Sequence, residues 1–499
     1  MSCLPARICF LLLSAIQIGA ASAEKASVRA FAPVQPELFA APGSLSNAWG
    51  DFDNDGDPDL LVSLKHGELR LYQNDGGTFV SVGKDYRLPT AGDEIRGVSW
   101  GDYDGDGDLD FIAGSSVSPI RSRSYVYRND GGEFVEVANE IGLATPGRSA
   151  RQSNWVDFDN DGDLDLYAAD RAGRNGFYRN DGGGFAPLGP ESGALDGRRT
   201  VGACWFDFDQ DGDLDVFLAN QAGDSDALLR NDGGVFVDVA PALGMDQTQR
   251  PESEGGVGCA VGDYDNDGDF DLYVATYGAN LLYRNDGGGK FAEVAEAMGV
   301  TEPARAVGAA WGDVDNDGDL DLAVTGYRGS GAERRTDVKL YRNADGRFRN
   351  ILSDDDPLQA GDHGIDLVDF DNDGDLDISF TRDAGPAGGH FVFRNELPVE
   401  DHARSLRILV LDAQGRFTKP GAEVRLLNGS GEIIASRLVS TGGGYNAQSA
   451  GSVHFGLRDA FPVTVEVIFL TAEGRKSQRL DGVYPADRAG RVIRILQDK

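Results

Sequence analysis

The segment "VGCAVGDYDNDGDFDLYVATYGANLLYRNDGGGKFAEVA", Val257 to Ala295, holds in 39 residues the unit from which most of the chain is built. Its first apolar run enters an acidic loop, and "FDLYVA" from Phe270 leaves it. "NLLYR" from Asn280 and "KFAEVA" from Lys290 follow, separated by an Asn-Asp-Gly turn whose residues tolerate positive φ. Four short strands joined by tight turns make one antiparallel unit of the propeller-blade kind.

The acidic loop recurs seven times, starting at Asp51, Asp102, Asp157, Asp207, Asp263, Asp313 and Asp369, at spacings of 50 to 56 residues. A period near fifty means an array or a propeller. All five tryptophans, Trp49, Trp100, Trp155, Trp205 and Trp311, stand two residues before a loop, with Val261 and Leu367 at that place in the other two repeats. A large ring at one register position predicts packing between blades. The seventh repeat lacks a fourth strand after "HFVFRN", whereas "FAPVQPE" from Phe31 resembles the fourth strand "FAPLGPE" from Phe185. The N-terminal strand is therefore predicted to complete the last blade and close the ring, which removes sheet edges.

Each loop places aspartates on alternate positions around a glycine. The third-position residues are Asp53, Asp104, Asp159, Asp209, Asp265, Asp315 and Asp371. The fifth are Asp55, Asp106, Asp161, Asp211, Asp267, Asp317 and Asp373. The seventh are Asp57, Asp108, Asp163, Asp213, Asp269, Asp319 and Asp375, and the ninth are Asp59, Asp110, Asp165, Asp215, Asp271, Asp321 and Asp377. Carboxylates in the pattern D-x-D-x-D-G are hard oxygen ligands suited to Ca²⁺, up to seven ions here, and no paired His or Cys points to zinc. An EF-hand needs Glu at position twelve, where these loops carry Val62, Ala113, Ala168, Leu218, Val274, Val324 and Phe380. The alternative is a set of acidic turns holding no metal.

The formal net charge of −36 excludes nucleic acid as an obvious partner. The loops hold 35 of the 82 acidic residues, and the other 47 nearly balance 46 Lys and Arg. The excess charge therefore belongs to the loops rather than to the surface in general. Residues 1–23 read as a signal peptide: Arg7, an apolar Ile8–Ile18 run, and "ASA" ending at Ala23. That predicts a secreted or extracytoplasmic protein without a transmembrane anchor. Cys204 and Cys259 remain after cleavage. They lie three and four residues before neighbouring loops, so strand alternation puts them on opposite faces, and free buried thiols are expected rather than a disulfide.

The loops and their strand contexts resemble the FG-GAP/VCBS repeats of integrin α-subunit and related propellers. That resemblance implies calcium ligation by the side chains at positions one, three, five and nine and by the carbonyl at position seven. From Asp401 the repeat stops, and "RILVLDA", "GAEVRLLN", "VTVEVIFL" and "RVIRIL" alternate as strands of a small β-sandwich. "KPGAEVRLLN…GGGYNAQSAGSVHFGL", Lys419 to Leu457, resembles the ASPIC/UnbV domain, and the whole mature chain resembles the cartilage acidic protein family. The expected fold is all-β: a seven-bladed propeller of four-stranded blades over 24–400, closed by the N-terminal strand, then a small β domain over 401–499.

The connections at the far end from the loops are rich in arginine: Arg96, Arg121, Arg123, Arg148, Arg151, Arg171, Arg174, Arg198, Arg199, Arg250, Arg305, Arg334 and Arg335. Guanidinium forks suit carboxylates and sulfates, so an extracellular protein or acidic glycan is the expected partner. Mutual pairing with surface acids would account for the same residues. A polysaccharide lyase is the alternative function, drawing on His363, His390, Tyr327 and Arg382. There is no GxSxG or HExxH motif.

Overall fold

The computed structural model describes residues 31–40, 42–115, 124–144, 150–303, 305–344, 346–383, 389–488 and 490–498. The signal-like segment and Arg121, Arg123 and Arg148 lie outside them. Seven four-stranded antiparallel sheets follow the repeats, and the inner strands touch in a closed cycle. We number the blades by these inner strands: Ser44–Gly50, Ile95–Gly101, Ala150–Val156, Thr200–Phe206, Gly256–Gly262, Ala306–Gly312 and Ile365–Val368. Phe31–Pro33 pairs with His390–Asn395 as the outer strand of blade 7, the closure the N-terminal sequence predicts.

Packing between blades repeats as the sequence does. Trp100 stacks on Phe52, Trp155 on Tyr103, Trp311 on Tyr264 and Trp49 on Phe370, in each case the aromatic residue of the preceding blade's loop. Trp49, Trp100, Trp155 and Trp205 are buried. Six inner strands carry a one-residue register shift near their start. The shift falls about six residues before each loop. The residues six before the seven loops are Leu45, Arg96, Arg151, Val201, Val257, Val307 and His363.

Residues beyond 404 form two packed sheets. One orders Val453–Gly456, Ser405–Leu411 and Val492–Leu496, the last pair parallel. The other orders Ile433–Leu438, Glu423–Leu427, Val463–Thr471 and Gly474–Val483. Val424, Val465, Phe455 and Ile408 are among their shared core. Among the described residues no helix is long and apolar enough to cross a membrane.

Between these two sheets, residues 441–450 leave the domain and enter the ring's central channel. Ala447 and Gln448 pair with Val98 and Ser99 of blade 2. Gln448 exchanges hydrogen bonds with the backbone of Trp155 at 2.8 and 3.0 Å. Thr441 donates to the Trp205 carbonyl at 2.7 Å, and Gly444 exchanges backbone bonds with Ala309 at 3.1 Å. Ala450 N–H donates to the Trp49 carbonyl at 2.8 Å. The "TGGGY" run is what lets the segment fit. Gly444 has φ 59, and a Cβ there would sit 2.3 Å from the Ile365 carbonyl oxygen.

One expectation is overturned. Cys204 and Cys259 form a disulfide, with Cα atoms 6.1 Å apart. Their alternation to opposite faces is correct, but successive blades stack face to face. A residue on one face of blade 4 therefore meets a residue on the opposite face of blade 5, and both cysteines sit in that shared core.

Candidate metal loops and an arginine-lined channel mouth

In every loop the ninth aspartate is fully buried and spans three elements. Asp59 Oδ2 accepts from Phe52 N–H at 3.0 Å and Oδ1 from Asn74 N–H at 2.8 Å. The same pair of bonds recurs at Asp110, Asp165, Asp215, Asp271, Asp321 and Asp377. The first aspartate accepts the N–H of the central glycine, as Asp51 does from Gly56 at 3.0 Å, and the fifth accepts the N–H of position seven. Position four is left-handed, φ 59 at Asn54, which favours the Asn or Gly most of the loops carry there.

These turns bring the first, third and ninth carboxylates together. In the groups Asp51–Asp53–Asp59, Asp102–Asp104–Asp110, Asp157–Asp159–Asp165 and Asp207–Asp209–Asp215, ligand oxygens lie within 4.8 Å of one another. Asp53, Asp102, Asp157, Asp159 and Asp209 each bury an Oδ1 with no hydrogen-bond partner. Burial, with the neighbouring charges adding, pushes Asp59 up to about 8 and Asp110 and Asp165 up to about 9. Buried oxygens that repel one another and lack donors fit a hard cation. The seventh position behaves differently. Asp57 Oδ2 accepts from Gly76 N–H at 2.7 Å, and Asp108 and Asp213 bond their own hairpins in the same way. Those carboxylates therefore hold the hairpin, leaving the carbonyl at that position for a metal.

Loops 6 and 7 depart from this pattern. In blades 2 to 5 the arginine of "RND" pairs with the aspartate two residues on: Arg128–Asp130, Arg179–Asp181, Arg230–Asp232 and Arg284–Asp286. Blade 6 reads "RNA", and Arg342 turns into the loop to Asp315 and, at 3.2 Å, Asp317. Arg394 pairs with Asp371 at 2.6 Å in blade 7.

The C-terminal domain sits over the loop end. Arg475 reaches Asp207 at 2.5 Å, Arg407 Asp369 at 3.1 Å, Lys419 Asp157 at 3.4 Å and Arg458 Asp319 at 2.8 Å. At the far end the arginines divide into two groups. Arg199 pairs with Asp224, Arg250 with Asp226 and Arg334 with Asp362, each at 2.8 Å, Arg198 with Asp238 at 2.7 Å and Arg96 with Glu94 at 2.5 Å. Arg151, Arg171, Arg305 and Arg335 have no ion pair among the described residues. Tyr445, carried there by the channel segment, is buried among Val201, Val257 and Val307. Arg96 donates to its hydroxyl at 3.2 Å, and His363 meets its ring edge-on with centroids 5.2 Å apart.

A family model described as an FG-GAP-like repeat matches residues 51–113, 116–168, 157–218, 207–274 and 263–324, more than half of the chain. The chain belongs to the FG-GAP-like repeat family. It is also 26% identical to cartilage acidic protein 1 of Xenopus tropicalis over 480 residues, covering 87% of this chain and 73% of that protein. The Homo sapiens protein of the same name gives 26% over 489 residues, 88% and 71%. Among solved structures, BBS1N in complex with ARL6DN aligns with a TM-score of 0.44 at 10% identity, over 74% of this chain and 98% of that one. An N-acetylglucosamine-recognising Agrocybe aegerita lectin aligns at 0.37 and 18%, over 72% and 90%.

Within this FG-GAP chain, His363 and Tyr327 lie at the channel mouth, where Arg334 stacks 3.8 Å over the Tyr327 ring. Arg382 lines an arginine-rich depression beside it. His390 does not join them. It is fully buried edge-on to Phe39, and burial pushes it down to about 3. Two functional features escape a reading by motif. Tyr445 arrives from a distant segment without periodicity. The asparagine of "RND" donates from each blade to the loop carbonyl of the one before, as Asn129 does to Phe52 at 2.8 Å and Asn74 to Phe370 at 2.7 Å across the closure. Its recurrence in all seven repeats was the available signal.

Proposed function

We propose that this is an exported, calcium-stabilised propeller that binds an acidic partner, glycan or protein, through the end of the ring opposite its metal loops. The observation that carries the reading is uncompensated charge of opposite sign at the two ends: buried carboxylate oxygens without donors in the loops, and at the channel mouth the buried Arg151 guanidinium, whose Nε has no partner. In the loops, positions one, three, five and nine would hold Ca²⁺ with their side chains and position seven with its carbonyl. The ion is structural, since it ties strands rather than facing the mouth. Export is supported by the signal-like N-terminus and by the disulfide, which persists in oxidising compartments.

The test is thermal unfolding across a calcium titration begun in chelator. At free calcium about tenfold above the dissociation constant each independent site adds about 1.4 kcal/mol, and seven would raise the midpoint by about 10 °C. An unchanged midpoint in a protein shown to be metal-free would sink the metal assignment. Retention of the calcium-loaded protein on an acidic but not a neutral polymer tests the partner class.

The lyase reading draws on one observation, the contact of His363 with Tyr445 beneath the arginines. Appearance of unsaturated product from a uronate polymer would favour it over binding alone.

A further inference from the structure

The C-terminal domain docks on the loop end, yet it delivers Tyr445 through the channel to the opposite end. There the side chain meets Arg96, which Glu94 also pairs at 2.5 Å, and Arg151, which has no ion pair among the described residues. Arg151 is 7% exposed, and its Nε is buried without a hydrogen-bond partner. Burial pushes this guanidinium down to about 10, and the charge of Arg96 adds to the fall. Burial alone would raise the Tyr445 hydroxyl, but Arg96 and Arg151 outweigh it and hold that hydroxyl below its ordinary value. The charge of Arg171, which is itself exposed, reaches both residues. An unpaired guanidinium held this deep is strongly disfavoured unless an anion completes it.

The surroundings indicate what kind of anion fits. The rings of Tyr277 and Tyr327 stand edge to face with centroids 6.0 Å apart, part-exposed beside the mouth, and Arg305 lies 5.6 Å and 6.0 Å over them. Part-exposed rings with hydroxyl rims, Tyr327 covered on one face by Arg334 at 3.8 Å, complement a pyranose ring, which has an apolar face and a polar edge. A planar carboxylate matches the guanidinium fork.

We propose that Arg151 and Tyr445, with Arg96 held between Glu94 and Tyr445 as a positioning residue, form a composite carboxylate site at the channel mouth, completed by the C-terminal domain's inserted segment, that takes the uronate group of an acidic glycan. The inference rests on the reading of an acidic partner given above and assigns it a place and a chemical class. It also gives the C-terminal domain a part in recognition on the face it does not cover.

The experiment is calorimetric titration of the calcium-loaded full chain with tetragalacturonate, cellotetraose and polyglutamate. The chain would be wild type and the variants Arg151→Gln, Arg171→Ala, Tyr445→Phe and Arg199→Ala, each shown by its unfolding midpoint to be folded. Expected is binding of tetragalacturonate alone, weakened about 10- to 100-fold by Arg151→Gln and several-fold by Tyr445→Phe and by Arg171→Ala. Arg199→Ala, at an arginine whose charge Asp224 already pairs, should bind as wild type. Arg171 is on the surface, so its variant stays informative if Arg151→Gln does not fold. Uronate binding unchanged in the folded mouth variants overturns the site and leaves the broader reading standing. Preference for polyglutamate overturns the glycan class, and no binding of either acidic probe by wild type overturns the site and the reading together.

Discussion

Tyr445 accepts a hydrogen bond from Arg96 at 3.2 Å, across 349 residues of sequence and at the end of the ring its own domain does not touch. The contact exists because the segment carrying Tyr445 fills the channel and supplies partners to inner-strand backbone groups that would otherwise line an empty bore. Gly444 is the position where this is most exposed to substitution. Gly444→Val would place a Cβ on the Ile365 carbonyl in a backbone conformation that β-branched residues avoid. The expected outcome is withdrawal of the segment and loosened docking, read as faster proteolysis between the domains and a larger radius of gyration in scattering. Unchanged proteolysis and dimensions would mean that the segment is dispensable for docking.

The disulfide links blades 4 and 5 across 55 residues, and the chain-entropy relation gives about 4 kcal/mol for a loop of that length. In denaturant without reductant, a thiol reagent should find no free thiol in the chain from residue 24 onward and two after reduction. Cys204→Ser with Cys259→Ser should lower stability by about 2–4 kcal/mol in chemical denaturation.

How much of this was legible follows from where each signal lay along the chain. The blades, the loops, the tryptophan register and the closing strand at Phe31 were readable because each repeats locally, and seven copies average out accidents. The Cys204–Cys259 bond was misread because alternation fixes a face but not what that face meets. In a ring of stacked blades, opposite faces of neighbours are partners. The channel segment was unreadable for a different reason: "TGGGYNAQSA" looks like a loop, and nothing local says that its backbone groups are satisfied by blades hundreds of residues away. The arginines were visible as a set, but which of them lack partners depends on where single acids such as Asp224 and Asp226 fall.

Loop 6 offers a test at a single exposed position. Ala344 stands where blades 2 to 5 have the aspartate that holds their "RND" arginine, and Arg342 has turned to Asp315 and Asp317 instead. Ala344→Asp restores the partner and releases the loop carboxylates. Without calcium the variant should be slightly less stable, because Asp315 loses its counter-charge. With calcium its stabilisation should exceed that of wild type by about 1 kcal/mol, with one site tightened about fivefold in calorimetric titration. Identical calcium profiles would show that Arg342 does not compete for the loop.

His390 makes a pH prediction whose sign can be worked out. Its ring is sealed beside Phe39 with neither nitrogen bonded, and burial pushes it down to about 3 from an unfolded value near 6.5. The unfolded chain therefore binds a proton that the folded chain refuses. The stability from this group is complete above about pH 6.5 and falls as the pH drops toward 3, by about 1.4 kcal/mol per unit, or about 2 kcal/mol at pH 5. His454 is held down in the same way, and the aspartate loops also titrate, so the comparison must be a difference. His390→Phe, an aromatic of similar shape, removes only this proton. Measured by denaturant unfolding in saturating calcium at pH 7 and pH 5, the variant should lose about 2 kcal/mol less than wild type over that interval. An equal loss would mean that His390 is protonated in the native protein, and therefore that its pocket admits water.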